Sequence, residues 1–134
     1  MATDEQIEIR EFITAYFIAQ SAFDGVKMLD FWHSDGMMYL VGNQSEFRVV
    51  AAKEQAEHIK AAKEHNPDLA VKFVLDEVEQ VILHEELIAS VHVQYRMVFP
   101  EGHGKHRCFF NLAKMDGKWK IANVVDRGFQ ILTG

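Results

Sequence analysis

The stretch Cys108-Phe-Phe-Asn-Leu-Ala-Lys-Met-Asp-Gly-Lys-Trp-Lys-Ile-Ala-Asn-Val-Val125 decides the fold class of this chain. Two runs of β-forming residues meet in it at Asp116-Gly117, a dipeptide that supplies the positive φ angles of a two-residue hairpin turn. Such a turn sets Met115 opposite Lys118, and the later pairs follow by counting outward from the turn. The stretch therefore predicts a long antiparallel hairpin.

The two faces of this predicted hairpin differ in character, because side chains alternate across a strand. One face is mostly apolar, and we predict that it is a core or cavity wall; it holds Cys108, Phe110, Leu112, Trp119, Ile121, Asn123 and Val125. The other face is mixed, half polar and half apolar; it holds Phe109, Asn111, Ala113, Met115, Lys118, Lys120, Ala122 and Val124.

The first half of the chain is predicted to form helices and short strands. A capping box from Thr3 to Gln6 opens a predicted helix from about residue 4 to 20. The pattern then predicts a short helix from Asp24 to near His33, strands at 37–41 and 47–50 around a turn at Gly42-Asn43-Gln44, and a helix at 52–64.

After residue 69 the apolar period changes from 3.6 to 2, which predicts long strands at 71–83 and 87–99 before the hairpin. An irregularity is expected in the first of these near Asp76-Glu77. In the second, odd-numbered residues from Leu87 to Met97 share one face. Strands this long must twist and curve, and each helix has one apolar face to lay against the concave side.

The composition narrows the class of protein. At 134 residues the chain fits one domain, residues 1–134, which can bury roughly two thirds of its unfolded surface. A net charge of −6 disfavours nucleic acid and anionic membranes as partners, because both need clustered Lys and Arg. A single cysteine cannot form an internal disulfide, and the sequence has neither a signal-peptide pattern nor a membrane-length apolar run. These features predict a cytoplasmic protein.

Two motifs and the element order resemble the nuclear transport factor 2-like superfold, also called polyketide-cyclase-like or ketosteroid-isomerase-like. Phe31-Trp-His-Ser-Asp35 resembles the ending of its second helix, with Ser34 in place of Pro. Lys114-Met-Asp-Gly-Lys-Trp-Lys-Ile-Ala-Asn123 is most similar to the terminal hairpin of the group called "putative lumazine-binding". That group is expected to have an inward acidic residue where this chain has Cys108. The resemblance implies an α+β cone, a curved antiparallel sheet wrapped around three helices.

The candidate site follows from the polar groups that this arrangement turns inward. Proton transfer in a pocket needs a base and a donor for the developing oxyanion, and enzymes of the superfold place such groups on the first helix and the inner sheet face. The weak catalytic candidates are His33 and Tyr16, and His106 is a further inward polar group. The predicted lining of an apolar pocket comprises Tyr16, Gln20, Trp32, Tyr95, Cys108, Phe110 and Asn123.

No carboxylate is clearly inward in this register, and no cofactor is predicted. Seven His residues invite a metal interpretation, but no Cys pair or His-Glu-x-x-His element is present, so no metal site is predicted.

The mixed sheet face predicts a contact with a second copy. Left bare, it would be a sizeable exposed patch for so small a protein, and superfold members commonly pair through this face. The predicted homodimer interface comprises Ile88, His92, Gln94, Phe109, Asn111, Ala122 and Val124.

Three functions remain open at this level. The first is a homodimer that binds a small apolar or planar ligand in the pocket between the first helix and the sheet. The second is a cofactor-independent isomerase, dehydratase or cyclase that uses acid–base groups there. The third is a protein-interaction module with a filled core. The scarcity of inward carboxylates favours the first or the third over an enzyme.

Overall fold

A computed structural model describes residues 3–42 and 46–133, and the side chains of these as far as residue 128. Three helices and six strands follow one another in the order α1 (Asp4–Ser21), α2 (Gly25–Leu29), β1 (Trp32–Val41), β2 (Phe47–Ala51), α3 (Ala52–His65), β3 (Lys72–Glu85), β4 (Ile88–Phe99), β5 (Gly102–Met115) and β6 (Lys118–Thr133). The predicted turn at Gly42-Asn43-Gln44 lies partly outside the described residues. The α+β class is confirmed.

The first helix begins as predicted. The Thr3 hydroxyl accepts from the Gln6 backbone N–H at 3.1 Å, and the Gln6 side chain accepts from the Thr3 backbone N–H at 3.0 Å. The face that α1 turns toward the sheet is buried and comprises Ile9, Ile13, Tyr16, Phe17, Ala19 and Gln20. None of the described helices is long and apolar enough to cross a membrane.

The second helix is shorter than predicted, because it ends at Leu29 and β1 begins at Trp32. Gly25 at its start touches α3 so closely that a Cβ there would lie 2.3 Å from the carbonyl oxygen of Ala56. Trp32 already pairs with Ile121 of β6, so the aromatic stretch at residues 31–32 enters the sheet where helix was predicted.

The six strands form one curved, open sheet in the order β2-β1-β6-β5-β4-β3. All neighbours are antiparallel except β1 and β6, which run parallel. The prediction of a purely antiparallel sheet is therefore wrong at this one seam. Only hairpins force the antiparallel direction, and β1 and β6 are joined through most of the chain.

A β-bulge at Ala122 divides the terminal hairpin into two parts. Pairing follows the prediction from Met115–Lys118 to Leu112–Ile121, and the next pair is Asn111–Asn123. Ala122 is thus an extra residue that shifts the pairs from Asn111–Asn123 to His106–Gly128 by one position, and a second irregularity follows between His106 and Lys105. The irregularity predicted near Asp76 is also present, since Leu75 pairs with Tyr95 and the next pair is Glu77–Gln94.

The shift exchanges the two faces beyond the bulge. Val124 is 1% exposed and belongs to the core, whereas Asn123 faces outward and accepts from Asn111. Val125 pairs with Phe109 on the outer face, and Asp126 lies opposite Cys108. The predicted inward positions of Asn123 and Val125 and the predicted outward position of Val124 are therefore wrong.

Candidate functional site

The space between α1 and the concave sheet face is almost filled. Aromatic rings pack against one another there: Tyr16 and Phe110 meet edge to face with centroids 6.0 Å apart, and Phe17 and Tyr95 are tilted with centroids 5.2 Å apart. The remaining cavity measures about 10 Å³, which is roughly the space that one water needs. Its lining comprises Tyr16, Phe17, Gln20, Met38, Tyr95, Cys108, Phe110, Val124 and Asp126.

The side chain of Asp126 brings a carboxylate into the lining of this cavity, and Tyr95 and His106 contact it through hydrogen bonds. The Tyr95 hydroxyl donates to Asp126 Oδ2 at 2.6 Å, and His106 Nδ1 lies 3.0 Å from Oδ1. The rings of Tyr95 and His106 stack with centroids 4.7 Å apart and planes 20° apart. Asp126 is only 12% exposed, so a carboxylate, a phenol and an imidazole form one compact, largely buried group.

A second polar chain reaches the same cavity from α1. Trp32 Nε1–H donates to the Tyr16 hydroxyl at 3.2 Å, which leaves the hydroxyl proton of Tyr16 available to another acceptor. Burial raises the pKa of Tyr16, and the nearby Cys108 and Asp126 add to that rise. Tyr16 is therefore a neutral hydrogen-bond donor at physiological pH.

Tyr95 and Cys108 are kept protonated in the same way. Desolvation by burial is the main cause of the raised pKa of each, and the negative charge of Asp126 raises both further. A reactive thiolate would need a neighbouring cation, whereas Cys108 faces a carboxylate. Cys108 therefore acts as a small buried side chain.

An open cleft lies next to the interior cavity, on the other side of Asp126. Its volume is about 520 Å³, and Asp126 lines both this cleft and the small interior cavity. The cleft lies over the neighbouring strands β2, β1, β6 and β5; its lining comprises Leu40, Gly42, Glu46, Phe47, Arg48, His106, Asp126 and Gly128. Within the described parts of the chain, no three His, Cys, Asp or Glu side chains are grouped as a metal site requires.

Most of the predicted pocket residues do surround the interior cavity. The structure places Tyr16, Gln20, Tyr95, Cys108 and Phe110 in its lining. Trp32 stands behind them as the donor to Tyr16. The pocket itself differs from the prediction, because aromatic side chains fill it, and the space that Asp126 opens onto is the cleft of about 520 Å³.

His33 lies apart from this group. It falls in the irregular part of β1 between Trp32 and Met37, where its Nδ1 accepts from the backbone N–H of Asp35 at 3.1 Å. The depression that it lines, near Asp116 at the hairpin turn, shares no lining residue with the cavity or the cleft. Of the two catalytic candidates predicted from the sequence, His33 is therefore outside this site, whereas Tyr16 lines the interior cavity.

Sequence reasoning missed Asp126, the central residue of the site. A count from the Asp116-Gly117 turn that ignores the bulge places the side chain of Val125 inward and that of Asp126 outward. One signal was available: the related group is expected to have an inward acid at the position of Cys108, and Asp126 lies directly across the ladder from that residue.

Comparison with solved structures shows which known proteins share this fold. A ketosteroid isomerase-like protein from Erwinia carotovora atroseptica superposes with a TM-score of 0.69 at 19% identity, over 96% of this chain and 99% of the other. An NTF2-like protein of unknown function from Shewanella baltica gives a TM-score of 0.71 at 17% identity, over 97% and 99%. A domain of unknown function with a cystatin-like fold from Nostoc punctiforme gives 0.72 at 16% identity, over 98% and 82%.

At these identities the likeness concerns the fold, which is nuclear transport factor 2-like. No curated protein matches the chain. The model of one protein family does match, over residues 4–125, and its description is "putative lumazine-binding". The match spans all three helices and the sheet almost to Asp126, so the chain belongs to the "putative lumazine-binding" family.

Proposed function

We propose that this protein binds a small molecule in the cleft over Asp126 and His106. The observation that carries the proposal is a carboxylate, 12% exposed, that separates an interior cavity from a cleft of about 520 Å³. The family description points to the same class of function.

The burial of Asp126 supports a role in binding rather than in stability. Removing a carboxylate from water costs several kcal/mol unless hydrogen bonds and charge partners compensate for it. Tyr95 is neutral, and His106 is a cation only when protonated, so neither is a permanent counter-charge. An apolar residue opposite Cys108 would serve the core better, which makes Asp126 a candidate for ligand recognition.

The lining of the cleft indicates the chemistry of the ligand. Leu40 and Phe47 offer apolar surface, and Asp126 and His106 offer a polar edge. Glu46 and Arg48 carry opposite charges at the same cleft, so the lining does not select strongly for net charge. A small planar molecule with hydrogen-bonding groups along one edge fits these features, and lumazine is the natural first probe.

The binding test compares two substitutions that change charge equally. Asp126→Asn removes the carboxylate of the cleft, whereas Glu79→Gln removes one on the outer face, where Glu79 pairs with Arg107. In calorimetric titration with lumazine and related planar heterocycles, we expect D126N to weaken binding about tenfold or more and E79Q to leave it unchanged. Equal affinities in D126N and the unchanged protein would place the ligand elsewhere.

A second candidate is acid–base catalysis by the same group. The sequence argued against an enzyme because it lacked an inward carboxylate, and Asp126 supplies one beside the protonated Tyr16 and Tyr95. A base and neutral donors around one space meet the minimal needs of a cofactor-independent isomerase, dehydratase or cyclase. Turnover of a bound ligand that disappears in D126N would favour this candidate.

We also propose that two copies pair through the outer sheet face, as a cytoplasmic homodimer. A row of side chains crosses that face, from His92 through Phe109 and Val125 to Tyr39 and Val49. Val49 is 49% exposed and Phe109 is half-buried. Of the predicted interface residues, Ile88, His92, Gln94, Phe109 and Asn111 stay in this proposal, Ala122 is at the bulge, and Val124 is excluded by its burial.

A second copy is the occupant that this face fits. The flanks of the row carry neutral Asn111 and Asn123 on one side and the Glu79–Arg107 ion pair on the other. A two-fold axis sets the face against itself, and flanks balanced in charge avoid like-charge repulsion.

The dimer test uses Phe109→Glu in light scattering, with Ile18→Glu as control because Ile18 is 67% exposed on α1. F109E is expected to be a monomer and I18E a dimer. A dimer in both would show that another surface is used.

A further inference from the structure

Three features fix the imidazole of His106 at the cleft. Its Nδ1 lies 3.0 Å from Asp126 Oδ1, and its ring stacks on Tyr95 at 4.7 Å. The third feature is Gly128, where an added Cβ would lie 3.0 Å from Cε1 of the ring. Glycine at this position therefore leaves room for the imidazole beside Asp126.

These contacts determine which ring nitrogen carries the proton. A carboxylate only accepts hydrogen bonds, and so Nδ1 must be the protonated nitrogen that donates to Asp126. In the neutral ring the lone pair then sits on Nε2. Nε2 has no hydrogen-bond partner among the described residues and is not among their buried unpartnered atoms, so we take it to be accessible from the cleft.

We propose that His106 is the proton acceptor of the cleft, with Nε2 as the accepting atom and Asp126 as its positioning residue. The ligand class that this suits carries a weakly acidic N–H, O–H or C–H next to a carbonyl. The ligand's bond to hydrogen breaks, an N–H bond forms at Nε2, and the ligand keeps the electron pair as an anion. Asp126 remains a carboxylate and stabilises the imidazolium.

The surroundings of His106 suit this role. Tyr95 and Asp126 contact it directly, and Glu46 and Arg48 line the same cleft. The stacked ring of Tyr95 and the carboxylate of Asp126 together hold the imidazole in one orientation, with Nε2 directed away from Asp126. This inference deepens the proposed function and rests on it for the ligand, but the test below needs no ligand.

The test reads the tautomer of His106 by nitrogen NMR of the imidazoles at a pH where the ring is neutral. His106→Gln assigns the signal, and His92 on the outer face serves as the internal control. We expect hydrogen on Nδ1 and none on Nε2. In Asp126→Leu, which removes the acceptor, the hydrogen should move largely to Nε2. Hydrogen on Nε2 in the unchanged protein, or an unchanged spectrum in D126L, would overturn the proposal.

Acylation with diethyl pyrocarbonate tests whether Nε2 is open to the cleft. One adduct should be lost from the mass spectrum of H106Q, and failure to modify His106 in the unchanged protein would overturn the accessibility of Nε2. Gly128→Ala provides a milder variant, since its Cβ pushes the ring, and it should give a mixture of tautomers. If ligand binding fails while these results hold, the proposed function falls and the assignment of His106 stands.

Discussion

The two parts of the terminal hairpin make an instructive contrast. Between the turn and the Leu112–Ile121 pair, β5 and β6 alternate as a simple count from the turn requires. Beyond the bulge at Ala122, the same count assigns the β6 side chains from Asn123 to Arg127 to the wrong face. The near part supplies core residues such as Trp119, whereas the far part supplies Asp126.

The contrast teaches that one added residue created the candidate site. A shift of one position exchanges the faces of a strand, so the bulge turned a carboxylate toward α1 and an amide toward solvent. Bulges are common beside functional sites because they re-aim side chains in this way. Here the bulge lies between Asn111 and Leu112 of the partner strand, three residues from Cys108, which faces Asp126.

The largest expected effect comes from placing a charge on either side of the bulged strand. Val124→Asp puts a carboxylate at a position that is 1% exposed, so it should lower the free energy of unfolding by about 4 kcal/mol or prevent folding. Asn123→Asp keeps an oxygen that accepts from Asn111 and should change stability by less than about 0.5 kcal/mol. Urea unfolding measures both changes in stability. If N123D were the more destabilising of the two, the result would support the register without a bulge.

An intermediate effect is expected at alkaline pH, because the inward side beyond the bulge keeps Cys108 and Tyr95 protonated. Their ordinary pKa values are 9.0 and 10.0, and burial raises both in the folded protein. Above about pH 9 the unfolded chain therefore binds fewer protons than the folded one, and the free energy of unfolding falls as pH rises.

The contribution of Cys108 to this loss of stability at alkaline pH can be isolated by substitution. Cys108→Ala should flatten this decline by about 1 kcal/mol per pH unit near pH 10, measured by urea unfolding at several pH values against the unchanged protein. Parallel stability curves for the two proteins would contradict the burial of a protonated thiol opposite Asp126.

The smallest effect is expected on the outer face. Asn111 accepts from Ser90 and donates to Asn123, at 2.9 and 2.8 Å, in a ladder across three strands. Because these groups are exposed, Asn111→Ala should cost only about 0.5–1 kcal/mol. A double-mutant cycle with Asn123→Ala should show coupling between the two amides, and strict additivity would mean that the ladder contributes nothing to the bulged register.

The sequence was sufficient for features that local chemistry determines. The capping box at Thr3, the Asp116-Gly117 turn and the alternation along β4 all lie within a few residues of their cause. The site depended on two features without a local signal. Neither Ala122 nor its immediate neighbours are glycine or proline, which could mark a bulge, and the parallel seam joins segments that most of the chain separates.

The parallel seam also determines the order in which the molecule can fold. Strands β3 to β6 follow one another through short turns, so their pairing closes only small loops. The pairing of Leu40 with Asp126 closes a loop of most of the chain, which costs more entropy and slows the step. The cleft needs that seam, because Leu40 on β1 and Asp126 on β6 pair across it and both line the cleft. We therefore expect the proposed binding cleft to be the last part of the protein to assemble, and a chain stopped before that step would have most of its sheet but no cleft.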